Sequence, residues 1–153
     1  MGPIDILQSY LDEAADALLS GDWATYLDGI SLPWFMINPS TSTVITQEAD
    51  LRAEFDAFHA RLKGHRVTHY LKLVDHAYFL EKDLISGYYM SHILVAGHRL
   101  IPSFRSLLDL RREGGRWRAA AMTNDLSASQ WPLPPADLSA QGQAQTVAER
   151  PQR

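Results

Sequence analysis

Two side chains in the second half of the sequence, His92 and Asp75, are of the types that together move protons. A carboxylate that accepts from one imidazole nitrogen fixes the tautomer. The other nitrogen is then left as a base near neutral pH. Both residues lie in HYLKLVDHAYFLEKDLISGYYMSHILV, residues 69–95, which reads as two strands joined at Lys82-Asp83. That turn sets His92 opposite Leu73 and Asp75 opposite Met90. Diagonal neighbours of this kind lie about 7–8 Å apart, within reach of long side chains. His69 and Tyr88 share the face, and either can polarise a carbonyl. The chemistry implied is proton abstraction beside a carbonyl: dehydration, isomerisation or aldol-type ring closure. The same His92 and Asp75 also suit a purely structural pair near a sheet end. The sequence leaves both readings open.

Other chemistries lack their residues. The chain has no cysteine, which removes disulfides, thiolate nucleophiles and thiolate zinc sites. No HExxH motif occurs: His65 and His69 are four apart but have no glutamate between them and flank a strand start, so no metal is expected. There is no GxSxG elbow and no glycine-rich phosphate loop. The expectation is a site without cofactor. Trp34, Phe35, Met36, Trp23 and Tyr26 can line an apolar pocket mouth for a hydrophobic or aromatic small molecule, or serve as ordinary core. Room for a ligand there means a cavity of about 300 Å³ or more.

The elements that must position these groups follow from periodicity. The apolar residues Ile4, Leu7, Leu11, Ala14 and Leu18 recur at helical spacing. Ser20 or Asp22 then caps a short second helix. Pro33 and Pro39 bracket a short apolar stretch that reads as an edge strand, and STVIT reads as a second short strand. Thr46 is placed to cap a third helix with the stripe Leu51, Phe55, Phe58 and Leu62, ending before Gly64. From Val67 the period changes to two, giving strands near 67–80, 84–97, 103–113 and 116–125 with short connections. Segregated helices and strands predict an α+β fold, with three N-terminal helices packed on a curved antiparallel sheet. Residues 1–131 form the domain. Residues 132–153, polar and rich in Pro, Gln and Ala, are expected to be a mobile tail, or at most a strand-end wrap anchored by Trp131.

Two faces of residues 69–95 compete for the core. The leucine-rich face holds His69, Leu71, Leu73 and Asp75 with Tyr88, Met90 and His92, and is assigned to the helix side. The reverse face carries Lys72, His76 and Ser91, and its Tyr70, Val74, Tyr78, Tyr89, Ile93 and Val95 would then be an exposed apolar patch. Such patches mark interfaces, so a homodimer through the sheet's outer face is expected.

The chain has 153 residues, 46% hydrophobic and 21% charged, in keeping with one globular domain. The net charge of −4 without a basic stripe argues against nucleic acid as a partner. No apolar run reaches the roughly 18 residues needed to span a bilayer. The acidic residues in MGPIDILQSYLDEAADALL do not suit a signal peptide, and a cytoplasmic location is expected.

Three stretches in order resemble the nuclear transport factor 2-like superfamily, in its SnoaL-like branch of polyketide cyclases, ketosteroid isomerases and scytalone dehydratase relatives. They are LLSGDWATYL, VITQEADLRAEFDAF and LLDLRREGGRWRAAAMTND, within residues 4–126. The resemblance implies a cone-shaped α+β barrel, with a pocket between sheet and helices and dimers through the sheet. It also implies site positions. Counted from Gly21-Asp22, the isomerase base falls near Asn38, an amide that takes no proton. The family tyrosine falls near Ala14, with Tyr10 one helical turn away. Isomerase chemistry of the aspartate-base kind is therefore not expected, and the dehydratase-like His–Asp arrangement is the closer model. The superfamily also contains non-catalytic binding and assembly modules, and the fold alone does not choose among these functions.

Overall fold

The structure is a computed structural model and describes residues 1–126. The end of the domain at residue 131, the Trp131 anchor and the tail at 132–153 lie outside the described residues.

Helix α1 spans Pro3–Ser20. Proline at the first helical position loses no internal hydrogen bond. Gly21 ends the helix in the left-handed conformation at φ 77°. Asp22 caps α2, Trp23–Asp28, accepting from the Thr25 amide at 3.2 Å and hydroxyl at 2.7 Å. Helix α3 spans Glu48–Gly64 and buries Leu51, Phe55, Phe58 and Leu62. Its N-cap is Gln47 rather than Thr46, with no side-chain capping bond. Glu48 and Asp50 in the first turn, and Arg61 and Lys63 in the last, complement the helix dipole instead. Gly64 remains helical, and Arg66 takes the left-handed turn at φ 59°.

The strands are β1 (Ile30–Ile37), β2 (Ser42–Ile45), β3 (His69–Glu81), β4 (Leu84–Val95), β5 (His98–Arg99), β6 (Phe104–Glu113) and β7 (Arg116–Asn124). Their order is β2-β1-β7-β6-β4-β3, with β5 attached to β4. The four long strands form the expected meander. The sheet is mixed rather than purely antiparallel, because β1 runs parallel to β7, and β1 is not the edge strand its prolines suggest, since β2 pairs on its other side. The chain leaves β1 and β2, crosses through α3, and starts the meander at the far edge. Its last strand therefore returns beside β1. The sequence missed β5, which pairs back on β4 through Ala96 and Gly97, both at positive φ.

Register was the hidden quantity. Lys82-Asp83 is the turn, since Glu81 pairs with Leu84. Leu80 and Asp75, however, are extra residues on β3. Each bulge shifts the pairing by one. Leu71 therefore sits opposite His92 and Leu73 opposite Met90, two positions from the simple count. A further bulge in the β6–β7 ladder puts Leu108 opposite Met122 and turns Met122 inward, while Leu110 opposite Ala119 is as the Gly114-Gly115 turn predicts.

The core lies on the face opposite to the one expected. Tyr70, Tyr89 and Ile93 are buried, whereas Leu71 and Leu73 are 41% and 51% exposed. Close helix approach decides this. A Cβ at Gly87 would lie 2.5 Å from Leu7 Cδ2, and the same face carries the small Ser91 and Ser106. Leucines there would hold α1 away. Gln8 of α1 also spans the edge strand. Its Nε2 donates to the Lys72 carbonyl at 2.6 Å, and its Oε1 accepts from the Val74 amide at 2.9 Å. These bonds satisfy backbone groups just before the Asp75 bulge.

Candidate functional site

Between the three helices and the inner sheet face lies a cavity of about 200 Å³. It is smaller than the 300 Å³ expected, yet larger than the roughly 150 Å³ in which a dry apolar cavity holds one benzene ring. Its walls are mostly apolar. Ile30, Trp34 and Ile45 come from β1 and β2, and Phe55 and Phe58 from α3. Among its lining residues, the exposed ones are Glu54 and Ala57, one turn apart on α3, with Arg61 a turn further on. The cavity therefore lies nearest solvent beside α3.

Four of the residues expected from sequence meet here, Tyr10, Tyr26, Trp34 and Met36, whereas Trp23 is not in the wall and Phe35 points to the outer face, 41% exposed. Tyr10 donates its phenol proton to the Gly29 carbonyl at 2.7 Å, which ties α1 to the start of β1. The other picks lie elsewhere. His92, Asp75, His69, Tyr88 and Met90 are not in the cavity wall. His92 Nδ1 is 2.6 Å from Ser103 Oγ, which also accepts from Arg99 Nε at 2.7 Å. Asp75 faces Arg105 at 3.5 Å, and the same guanidinium lies 4.6 Å from the Tyr88 ring centroid. His69 is exposed, with Nδ1 3.0 Å from Thr68 Oγ1. The expected His92–Asp75 proximity is thus corrected: each has a different partner on the outer face. The cause is the pair of bulges together with the inverted choice of core face. Asn38 shapes the β1–β2 turn, where its Oδ1 accepts from the Ser40 and Thr41 amides at 2.9 Å each.

Sequence reasoning missed the polar groups that do face the cavity. Lys72, Tyr70, Tyr89 and Ser91 all line it. The lysine ammonium lies 4.8 Å from the Tyr70 ring centroid and 5.9 Å from that of Tyr89. Burial pulls its pKa down to about 8. Burial also raises the phenols of Tyr10, Tyr26 and Tyr70, and raises Tyr89 to about 12. At neutral pH the tyrosines are therefore hydrogen-bond donors rather than bases. Ser91 is 1% exposed, and its hydroxyl lies beside the Tyr70 phenol without a well-formed hydrogen bond. One signal was available. Tyr70, Lys72 and Val74 alternate on one face, with a lysine in mid-strand between two large side chains.

No protein-family model matches the sequence, and no curated protein matches it. Solved structures do. One is an NTF-2-like protein of unknown function from Shewanella oneidensis, with a TM-score of 0.64 and 12% identity over 80% of this chain and 98% of that one. Another is an NTF2-like protein with a cystatin-like fold from Novosphingobium aromaticivorans, with a TM-score of 0.64 and 17% identity over 83% of each chain. A third, an NTF2-like protein from Cytophaga hutchinsonii, has a TM-score of 0.58 and 16% identity over 83% of this chain and all of that one. Among the described residues no helix is long and apolar enough to cross a membrane. An open, curved sheet over three helices, matched along most of its length by these structures, gives this chain the nuclear transport factor 2-like α+β fold.

Proposed function

We propose that this protein binds a small hydrophobic or aromatic molecule in the cavity between α3 and the sheet. The observation that carries the reading is the cavity itself. About 200 Å³ of largely apolar space meets a small set of buried polar groups on one wall. One or two aromatic rings match that volume better than a larger ligand. A proton-transfer role for His92 and Asp75 has no support in this geometry, because neither lines the cavity. The SnoaL-like placement rests on the three sequence stretches alone, and the cysteine-free chain suits a cytoplasmic setting without requiring it. The test is titration with 2-naphthol, followed by its fluorescence. Saturable binding is expected in the wild type. Ala14→Leu, which projects into the cavity, should weaken it at least tenfold. Absence of saturable binding to the wild type would overturn the reading.

A second reading, a binding or assembly module acting through a homodimer, is favoured by the outer sheet face. Leu71 and Leu73 on β3 and Phe35 and Ile37 on β1 are exposed large apolar side chains, with Leu107 of β6 between those strands. A second copy of the chain is the proposed occupant. The two readings are compatible, since one uses the inside of the cone and the other its outside.

A further inference from the structure

We propose that the cavity's ligand carries a carboxylate, received by the Lys72 ammonium together with the Ser91 and Tyr70 hydroxyls. The inference rests on the ligand-binding reading above and specifies its chemistry.

Among the described residues the cavity wall holds three charged side chains: Lys72, Arg61 and Glu54. Among the described residues Lys72 has no carboxylate within ion-pair distance. Its neighbours are the faces of Tyr70 and Tyr89. A half-buried cation whose described neighbours are aromatic faces is short of a counter-ion. Ser91 lies directly across the ladder from Lys72, is 1% exposed, and has an unpartnered hydroxyl. The Tyr70 phenol is protonated and adjacent. Three donors thus converge on one wall, and the contact between the Tyr70 and Ser91 hydroxyls leaves the ammonium without an anion. A carboxylate supplies one negative charge and two acceptor oxygens, matching one ammonium and two hydroxyls. A phosphate dianion would bring two charges where Lys72 supplies one. A neutral ligand would leave the ammonium unpaired.

The discriminating measurement uses two molecules of one shape on the full chain at pH 7, 2-naphthoate and 2-naphthamide, titrated calorimetrically against wild type and Lys72→Met. The acid is expected to bind wild type at least tenfold more tightly than the amide. That preference should vanish in Lys72→Met, while the amide binds both proteins alike. Equal binding of acid and amide to wild type, or a preference that survives Lys72→Met, would overturn the carboxylate assignment and leave the cavity reading in place. If neither molecule binds wild type, both fall.

Discussion

Lys72 sits directly opposite Ser91 across the β3–β4 ladder, and both side chains face the cavity. A fold seeking only stability has no use for an ammonium in that place. The cation loses hydration, and the faces of Tyr70 and Tyr89 return only part of it. Lys72→Met keeps the stem and removes the charge. It is expected to stabilise the empty protein at pH 7 by about 1–3 kcal/mol, as apolar replacements of buried charges often do. Urea unfolding reads this as a higher midpoint at unchanged slope. A lower midpoint would mean that the cation's contact with the two rings outweighs its burial.

The same lysine gives stability a pH dependence of known sign. Its pKa is about 8 in the fold against an ordinary 10.5. Below pH 8 folded and unfolded chains both hold the proton, and the folded state carries the full burial cost. Between about 8 and 10.5 the unfolded chain binds more protons, so stability rises with pH. Above pH 10 the buried phenols of Tyr10, Tyr26, Tyr70 and Tyr89 act in the other direction, because the fold retains their protons. Those phenols, with Glu54 and Arg61 in the wall, are common to wild type and Lys72→Met, so the difference between the two isolates the lysine. That difference should shrink from pH 8 to 10.5 by on the order of 1 kcal/mol per pH unit. Urea titrations at pH 7, 8, 9 and 10 measure it. A pH-independent gap would show that the amine is hydrated.

Helix and strand identity were readable because each depends on a short period. The Leu51–Phe55–Phe58–Leu62 stripe and the Gly114-Gly115 turn needed no distant information. The face of β3 and β4 was not readable, for two physical reasons. Bulges at Leu80 and Asp75 leave no compositional mark, yet together they move the pairing by two. Core preference was also judged by hydrophobicity, whereas this core needs small residues at Gly87, Ser91 and Ser106 so that α1 can approach. Tyr10, Tyr26 and Trp34 were found because they sit on or beside well-read elements outside the bulged strand. The site's charged group was lost with the register. Lys72 was placed on the outward face, where a lysine passes without notice.

Gly87 tests the close approach directly. An added Cβ would meet Leu7 Cδ2 at 2.5 Å, the His76 carbonyl oxygen at 2.8 Å and Ala77 Cβ at 2.9 Å. The carbonyl belongs to the paired strand and cannot move alone. Gly87→Ala should therefore destabilise by about 1–3 kcal/mol through overpacking, despite alanine's lower unfolded-chain entropy. Thermal unfolding provides the readout. An unchanged midpoint would place α1 further from β4.

Gln8 fastens α1 to the strand that bears the lysine. Gln8→Met fills similar volume but leaves the Val74 amide and Lys72 carbonyl without this partner. The expected loss is about 1–3 kcal/mol. Exchange of the Val74 amide with solvent should accelerate by more than global destabilisation alone gives. Uniform acceleration along β3 would assign Gln8 a packing role instead.

The outer face supports a prediction about assembly. Leu71, opposite His92, and Leu73, opposite Met90, stand on the solvent side of an edge strand and are 41% and 51% exposed. Placing them there raises the chance of non-specific association, a hazard that edge strands usually reduce with charge. A second copy packing on this face would bury them at no cost to the cavity, which opens on the far side of the sheet. Leu73→Glu introduces a charge into that contact, and Leu73 is not among the residues of the cavity wall. In sedimentation velocity the wild type should run as a dimer and Leu73→Glu as a monomer, with 2-naphthol affinity unchanged within about twofold, because distant independent sites do not couple. A wild type that sediments as a monomer at all accessible concentrations would remove the assembly reading and leave the ligand reading untouched.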